Sequence, residues 1–169
     1  MKIIASKRSA LAKTDQLQLV RKDGSDCSID MPRQGILPHD LLHVVVESGF
    51  ALPGGFLSLV ASGMAASFAM ERSHAPSMVQ QHEAGLAEAM VEAMQTQLWS
   101  GQYNHGAFEY GIQTAATMRG IEQVVTPSES DALAVYEQAI ALNVRWTNLA
   151  EGQTLVVDFL PPLARSESE

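Results

Sequence analysis

One cysteine among 169 residues, Cys27, excludes an internal disulfide and leaves no CxxC pair for a metal. A reducing, cytoplasmic setting suits such a chain. Charge is scarce as well: Lys, Arg, Asp and Glu supply 18% of the residues and apolar types 46%, where a globular protein has about a quarter charged. Much of the surface should therefore be covered, and a second copy of the chain, a homo-oligomer, is the expected cover. Hydrophobic runs of bilayer length are nearly missing too. The exception, Ala51 to Met70 (ALPGGFLSLVASGMAASFAM), carries no charge but is diluted by Pro53, Gly54, Gly55, Gly63 and three serines, and lacks Trp or Tyr at either end. It reads as a buried helix after a Gly-rich turn, so no membrane span is expected. Met1 to Ala12 lacks the apolar core and cleavage site of a signal peptide. No GxSxG occurs, because Ala61-Ser62-Gly63 lacks the leading glycine, and phosphate loops and dinucleotide fingerprints are absent.

The net charge of −8 is unevenly spread: residues 1–33 carry +3 and the rest −11. An acidic bulk argues against nucleic acid as a partner, since proteins that hold it present a basic face. The early cations Lys2, Lys7, Arg8 and Lys13 are spaced along what read as solvated strand faces.

Leu17 and Leu19 alternate with polar residues, as do Cys27, Ile29 and Met31, with Asp23-Gly24 between the two runs. That pattern predicts a hairpin, with Met1–Ser6 as a further strand. From Pro38 the period becomes helical. Pro38 suits a first helical position and Gly49 closes a short helix. The second helix is expected over Phe56–Arg72 and the third from Pro76 to Trp99, with Met78, Leu86, Met90 and Met94 as its core stripe and Ser100-Gly101 as its stop. A fourth runs over Ala107–Arg119. The fifth starts at a capping box of Thr126, Pro127 and Glu129 and buries Leu133, Tyr136, Ile140 and Val144. Gln153–Leu160 is a last strand, expected to return to the N-terminal sheet. Strands, then helices, then a strand predict one α+β domain over residues 1–163, an antiparallel hairpin and sheet packed against about five α-helices, with a disordered acidic tail at 164–169.

The chemistry concentrates in LPHDLLHVVVESGF, residues 37–50. Residues four apart on a helix share a face with Cβ atoms ~6 Å apart, so His39 and His43 can bind one divalent cation, as the two histidines of an HExxH helix bind zinc. Here Asp40 stands where that signature has Glu, one methylene shorter; it is a candidate to take a proton from metal-bound water, or equally a first-turn acid that favours the helix dipole. Glu47, about 12 Å along the axis from His39, either orients His43 as an acceptor or pairs with Arg72, Arg119 or Arg145, because a carboxylate amid LLHVVVE cannot be merely solvated. A third ligand must come from elsewhere. Glu88 and Glu92 on the third helix are the first choices, with His82, Glu83, His105 and Glu109 behind them.

The stretches MPRQGILPHDLLHVVVESGF, the following PGGF and the later RWTNLAEGQTLVVDF resemble a group of small bacterial proteins of unassigned activity that share a hairpin, an HDLxHxxVE helix and a Gly-Phe turn. The resemblance covers most of residues 16–73 and 145–159 and implies the same fold without naming a reaction. HDxxH is also similar to the zincin helix, with one mismatch. Beside a small-molecule sensor or carrier with a pocket beneath the PGGF turn, which no particular residue supports, two functional readings follow. One is a metal-binding protein, with Zn²⁺ as the candidate ion and hydrolase-like chemistry at Asp40 or Glu47. The other is a noncatalytic domain that dimerises or binds a partner and buries the same four residues as a hydrogen-bonded cluster.

Overall fold

A computed structural model of the chain describes residues 1–67, 69–70, 79–122 and 124–162. Arg72, Pro76, Met78 and the tail at 164–169 lie outside the described residues. The elements run β1 (Lys2–Ser6), β2 (Thr14–Val20), β3 (Asp26–Pro32), α1 (His39–Gly49), α2 (Phe56–Ala61), α3 (Val79–Ser100), α4 (His105–Met118), α5 (Glu129–Thr147) and β4 (Thr154–Asp158). The four strands form one antiparallel sheet in the order β3-β2-β1-β4, and the architecture is α+β.

The period-2 pattern does what it predicts. Leu17 and Leu19 point inward with Ile3, Ala5 and Met31, all fully buried against the helices; each large side chain among them contributes about 1.5–3 kcal/mol by leaving water. The Asp23-Gly24 turn is held by the Ser25 amide, which donates to Asp23 Oδ1 at 2.9 Å. The last strand returns as expected: β4 pairs β1 with Ile4 opposite Val156, and Met1 and Phe159 exchange backbone hydrogen bonds just beyond. Cys27 is packed at the rim of the core.

Three helical expectations need correction. Phe56–Arg72 is not one helix: α2 stops at Ala61, and Gly63 takes φ +107°, a left-handed conformation that ends the run. The cap of α5 is Ser128, whose Oγ accepts from the Asp131 amide at 3.2 Å, so the start falls two residues later than the Thr126-Pro127-Glu129 box implies; Thr126 instead donates to Glu109. Its buried face is also rotated, to Ala132, Val135, Tyr136, Ala139, Leu142 and Trp146, leaving Leu133 at 40% and Val144 at 50% exposure. Small alanines let α5 approach its neighbours closely, and proximity rather than hydrophobicity selects the inner face. Smaller shifts occur at Pro38, which precedes α1 as its cap, and at Asn104, whose side chain caps α4 through the Ala107 amide.

Helix α1 crosses the molecule's centre, with Leu41 to Glu47 all buried. It packs on α3 and α5, and at its C-terminal end a Cβ on Gly49 would collide with the branched Val135 side chain. Alanine at an open helical site stabilises by about 1 kcal/mol relative to glycine. At Gly49 we expect the opposite: Gly49→Ala lowers unfolding free energy by about 1–2 kcal/mol in urea titration, because Val135 cannot move without overpacking. A more stable variant would refute this close approach.

Candidate metal centre

Two turns of α1 and one turn of α3 bring four titratable side chains together. His39 Nε2 lies 3.1 Å from Glu88 Oε2, His43 Nε2 lies 3.2 Å from Glu88 Oε1, and the two Nε2 atoms are 3.3 Å apart. The rings meet edge to face with centroids 5.0 Å apart. His43 and Glu88 are buried, while the His39 side chain keeps 24% of its exposure. His39, His43 and Glu88 can hold a metal ion: one ligand atom from each lies close to the others.

Glu47 sets up this arrangement from one turn further along α1. It is fully buried, and each of its oxygens accepts two hydrogen bonds. Oε1 takes His43 Nδ1–H and the Leu57 amide, both at 2.9 Å; Oε2 takes the Ser58 amide at 2.8 Å and the Ser58 hydroxyl at 2.7 Å. Leu57 and Ser58 are in the first turn of α2, so a carboxylate of α1 caps α2 and sits where unpaired amides and the helix dipole favour negative charge. The PGGF turn makes this fit possible. A Cβ at Gly55 would run into the Glu47 carboxylate.

The consequence for His43 is a fixed ring orientation. With Nδ1–H committed to Glu47, Nε2 faces His39 and Glu88. On the other ring, His39 Nδ1 stands 3.4 Å from Gln95 Oε1, and Gln95 Nε2 in turn donates to Gln34 Oε1. Both imidazoles are thus oriented through their outer nitrogens, an arrangement that recurs around protein-bound metals.

Without a cation, one proton has to occupy the gap between two facing Nε2 atoms and a carboxylate. Burial pushes the His43 imidazolium down, but the Glu88 charge and the hydrogen bonds to Glu47 and Glu88 outweigh it and raise it to about 10. Burial likewise drives Glu88 up, yet the His43 charge and the contacts with both rings hold it well below the carboxylate range. Asp40 lies beside the cluster and is raised, first by burial, with His43 and His39 opposing and Glu88 reinforcing. It has no side-chain partner among the described residues.

The other sequence candidates are placed elsewhere. Glu92, one turn beyond Glu88, turns to Arg119 with contacts of 2.5 and 3.2 Å, and Arg145 reaches the Val156 carbonyl; neither arginine meets Glu47. His105 pairs weakly with Glu109 at 3.6 Å and meets the Tyr103 hydroxyl at 2.8 Å, a separate surface pair. His82 and Glu83 are exposed and do not belong to the group formed by His39, His43 and Glu88. Sequence reasoning missed Ser58, Gln95 and Gln34. Gln95 had a signal, being seven residues from Glu88 on the same helical face; Ser58 had none, because its role depends on how the PGGF turn folds back. Comparison with protein-family models, with curated proteins and with solved structures finds no match to this chain. Among the described residues, no helix is long and apolar enough to cross a membrane.

Two outcomes follow for the metal-free protein. In Glu47→Gln, an amide NH₂ faces donors that a carboxylate accepted, so unfolding free energy should fall by about 3–5 kcal/mol; a change under about 1 kcal/mol would show that the four hydrogen bonds are not formed. Stability should also depend on pH. Because His43 titrates above its ordinary 6.5, its contribution is complete below that value and is lost as pH rises through about 10. Glu88 titrates below its ordinary 4.5, so its contribution is lost on acidification below that. Urea midpoints should therefore be lower at about pH 9 than at about pH 6, and equal midpoints would contradict the protonated His43.

Proposed function

We propose that this chain is a metal-binding protein whose ion, Zn²⁺ by preference, is held by His39 and His43 of α1 and Glu88 of α3. The observation that carries the reading is the convergence of two imidazole Nε2 atoms and one carboxylate at separations of 3.1, 3.2 and 3.3 Å. In a tetrahedron with zinc–nitrogen bonds of ~2.0–2.1 Å, neighbouring ligand atoms stand about 3.3–3.4 Å apart, so little movement is needed to replace the shared proton by an ion. Mg²⁺ and Ca²⁺ favour six or more oxygens, and the nitrogen-rich set disfavours them.

Three protein ligands leave a fourth position, as in zinc hydrolases, where the bound water becomes a nucleophile near neutral pH. Glu47 is fully occupied by His43 and the end of α2, so its role is to position His43. Asp40, half-buried next to the ligands and without a side-chain partner, is the remaining group to accept a proton from that water, which supports hydrolase-like chemistry. The other reading, a noncatalytic domain with a buried polar cluster, is favoured by the contacts that His39, His43, Glu47 and Glu88 make with one another.

Metal analysis separates the two. Protein purified with Zn²⁺ should retain about one equivalent, and its melting temperature should rise with added Zn²⁺ as binding to the native state requires. His43→Ala should abolish both effects, while Asp40→Asn keeps the ion. Wild-type protein with less than about a tenth of an equivalent and no thermal shift would overturn the metal reading.

A further inference from the structure

The first 33 residues carry +3 in a chain of net charge −8, and the fold collects three of those early cations around one cavity. It measures about 370 Å³ and lies where the β1–β2 and β3–α1 loops meet the C-terminal end of α5, lined by Lys7, Arg8 and Arg33 together with Asp15, Gln34 and Trp146. That volume is in the range of small-molecule sites.

The cations differ in how far they are neutralised. Arg33 is paired with the buried Asp15 at 2.7 Å. Arg8 reaches Asp30 at 2.8 Å, but that carboxylate is 65% exposed and outside the lining, where solvent screens the pair. Lys7 has no carboxylate partner among the described residues. Its Nζ donates to the carbonyls of Thr147 and Leu149 at 3.2 and 3.0 Å and stands 5.3 Å from the Trp146 ring centre. Carbonyls fix the ammonium in place without cancelling its charge. Glu151, the second acid of the lining, accepts from the Ala10 amide at 2.8 Å. Three cations thus meet two acids in the lining, leaving a net charge of +1, and neither Lys7 nor Arg8 is paired with an acid of the cavity.

We propose that this cavity binds a small organic or inorganic anion through carboxylate or phosphate oxygens, with Lys7 and Arg8 supplying the charge. The Arg8 guanidinium can present two parallel donors to such oxygens, and a net positive concave wall in an acidic protein concentrates anions there. Gln34, also in the lining, accepts from the Gln95 amide that faces His39, so the cavity and the histidine cluster are separate sites linked through Gln95. Anion binding needs no metal.

Calorimetric titration of the chelator-treated full chain with succinate and, separately, with inorganic phosphate tests this and distinguishes the two sources of the anion. One or both should bind with a Kd below about 1 mM, weakening at least about tenfold in Lys7→Gln and in Arg8→Gln, while Lys22→Gln, exposed and away from the lining, leaves the Kd unchanged. Far-UV circular dichroism checks that each variant is folded, and if Lys7→Gln is not, Arg8→Gln decides alone. The site is refuted if neither anion binds at about 10 mM, or if binding survives undiminished in a folded Lys7→Gln or Arg8→Gln protein.

Discussion

A single buried carboxylate ties α1 to α2 and holds the histidine cluster in place. Glu47 sits inside an apolar helix, where an unpaired charge would be prohibitive. Four donors remove that penalty: two backbone amides and the hydroxyl at the start of α2, and the Nδ1–H of His43. The same bonds fix the angle at which the chain turns from α1 into α2, require a residue without a side chain at position 55, and orient the imidazole that faces Glu88. Folding and site geometry are therefore two consequences of one set of contacts.

Charge balance follows from this arrangement. Glu47 and Glu88 approach His43 from opposite sides, and in the absence of an ion the ring answers by keeping its proton far above the ordinary range. A divalent cation would compete with a proton for the gap between the facing Nε2 atoms, because a metal ligand has to be deprotonated. His39 completes the cluster from the first turn of α1, and its outer nitrogen faces an amide instead of an acid. The two histidines thus differ in what surrounds them although they differ little in sequence.

How far the sequence could be read depended on the range of the interactions involved. The hairpin, the return of β4 and the turn spacing of His39 and His43 follow from local chemistry: alternation, an Asp-Gly turn and helical periodicity each act within a few residues. The long second helix failed because Gly63 ends it at φ +107°, a break that a run of small apolar residues does not announce. The α5 cap was placed two residues early, because Thr126 donates to Glu109 on α4 and Ser128 takes the capping position. Its inner face was misjudged because the apolar stripe was read from large residues, whereas the fully buried Ala132 and Ala139 belong to the inner face and Leu133 and Val144 do not.

The pattern HDxxHxxxE determined by itself that two imidazoles and a carboxylate would line one side of a helix, and that a carboxylate in such apolar company must have partners. Which partners it had was decided only by tertiary packing. Glu88 and Glu92 are one turn apart on the same helix and alike in composition, yet the crossing of α3 over α1 brings Glu88 to both rings and leaves Glu92 to Arg119. Periodicity places a side chain on a face; the position of a helix along its neighbour, set by many small packing contacts distant in sequence, selects which turn of that face meets the site.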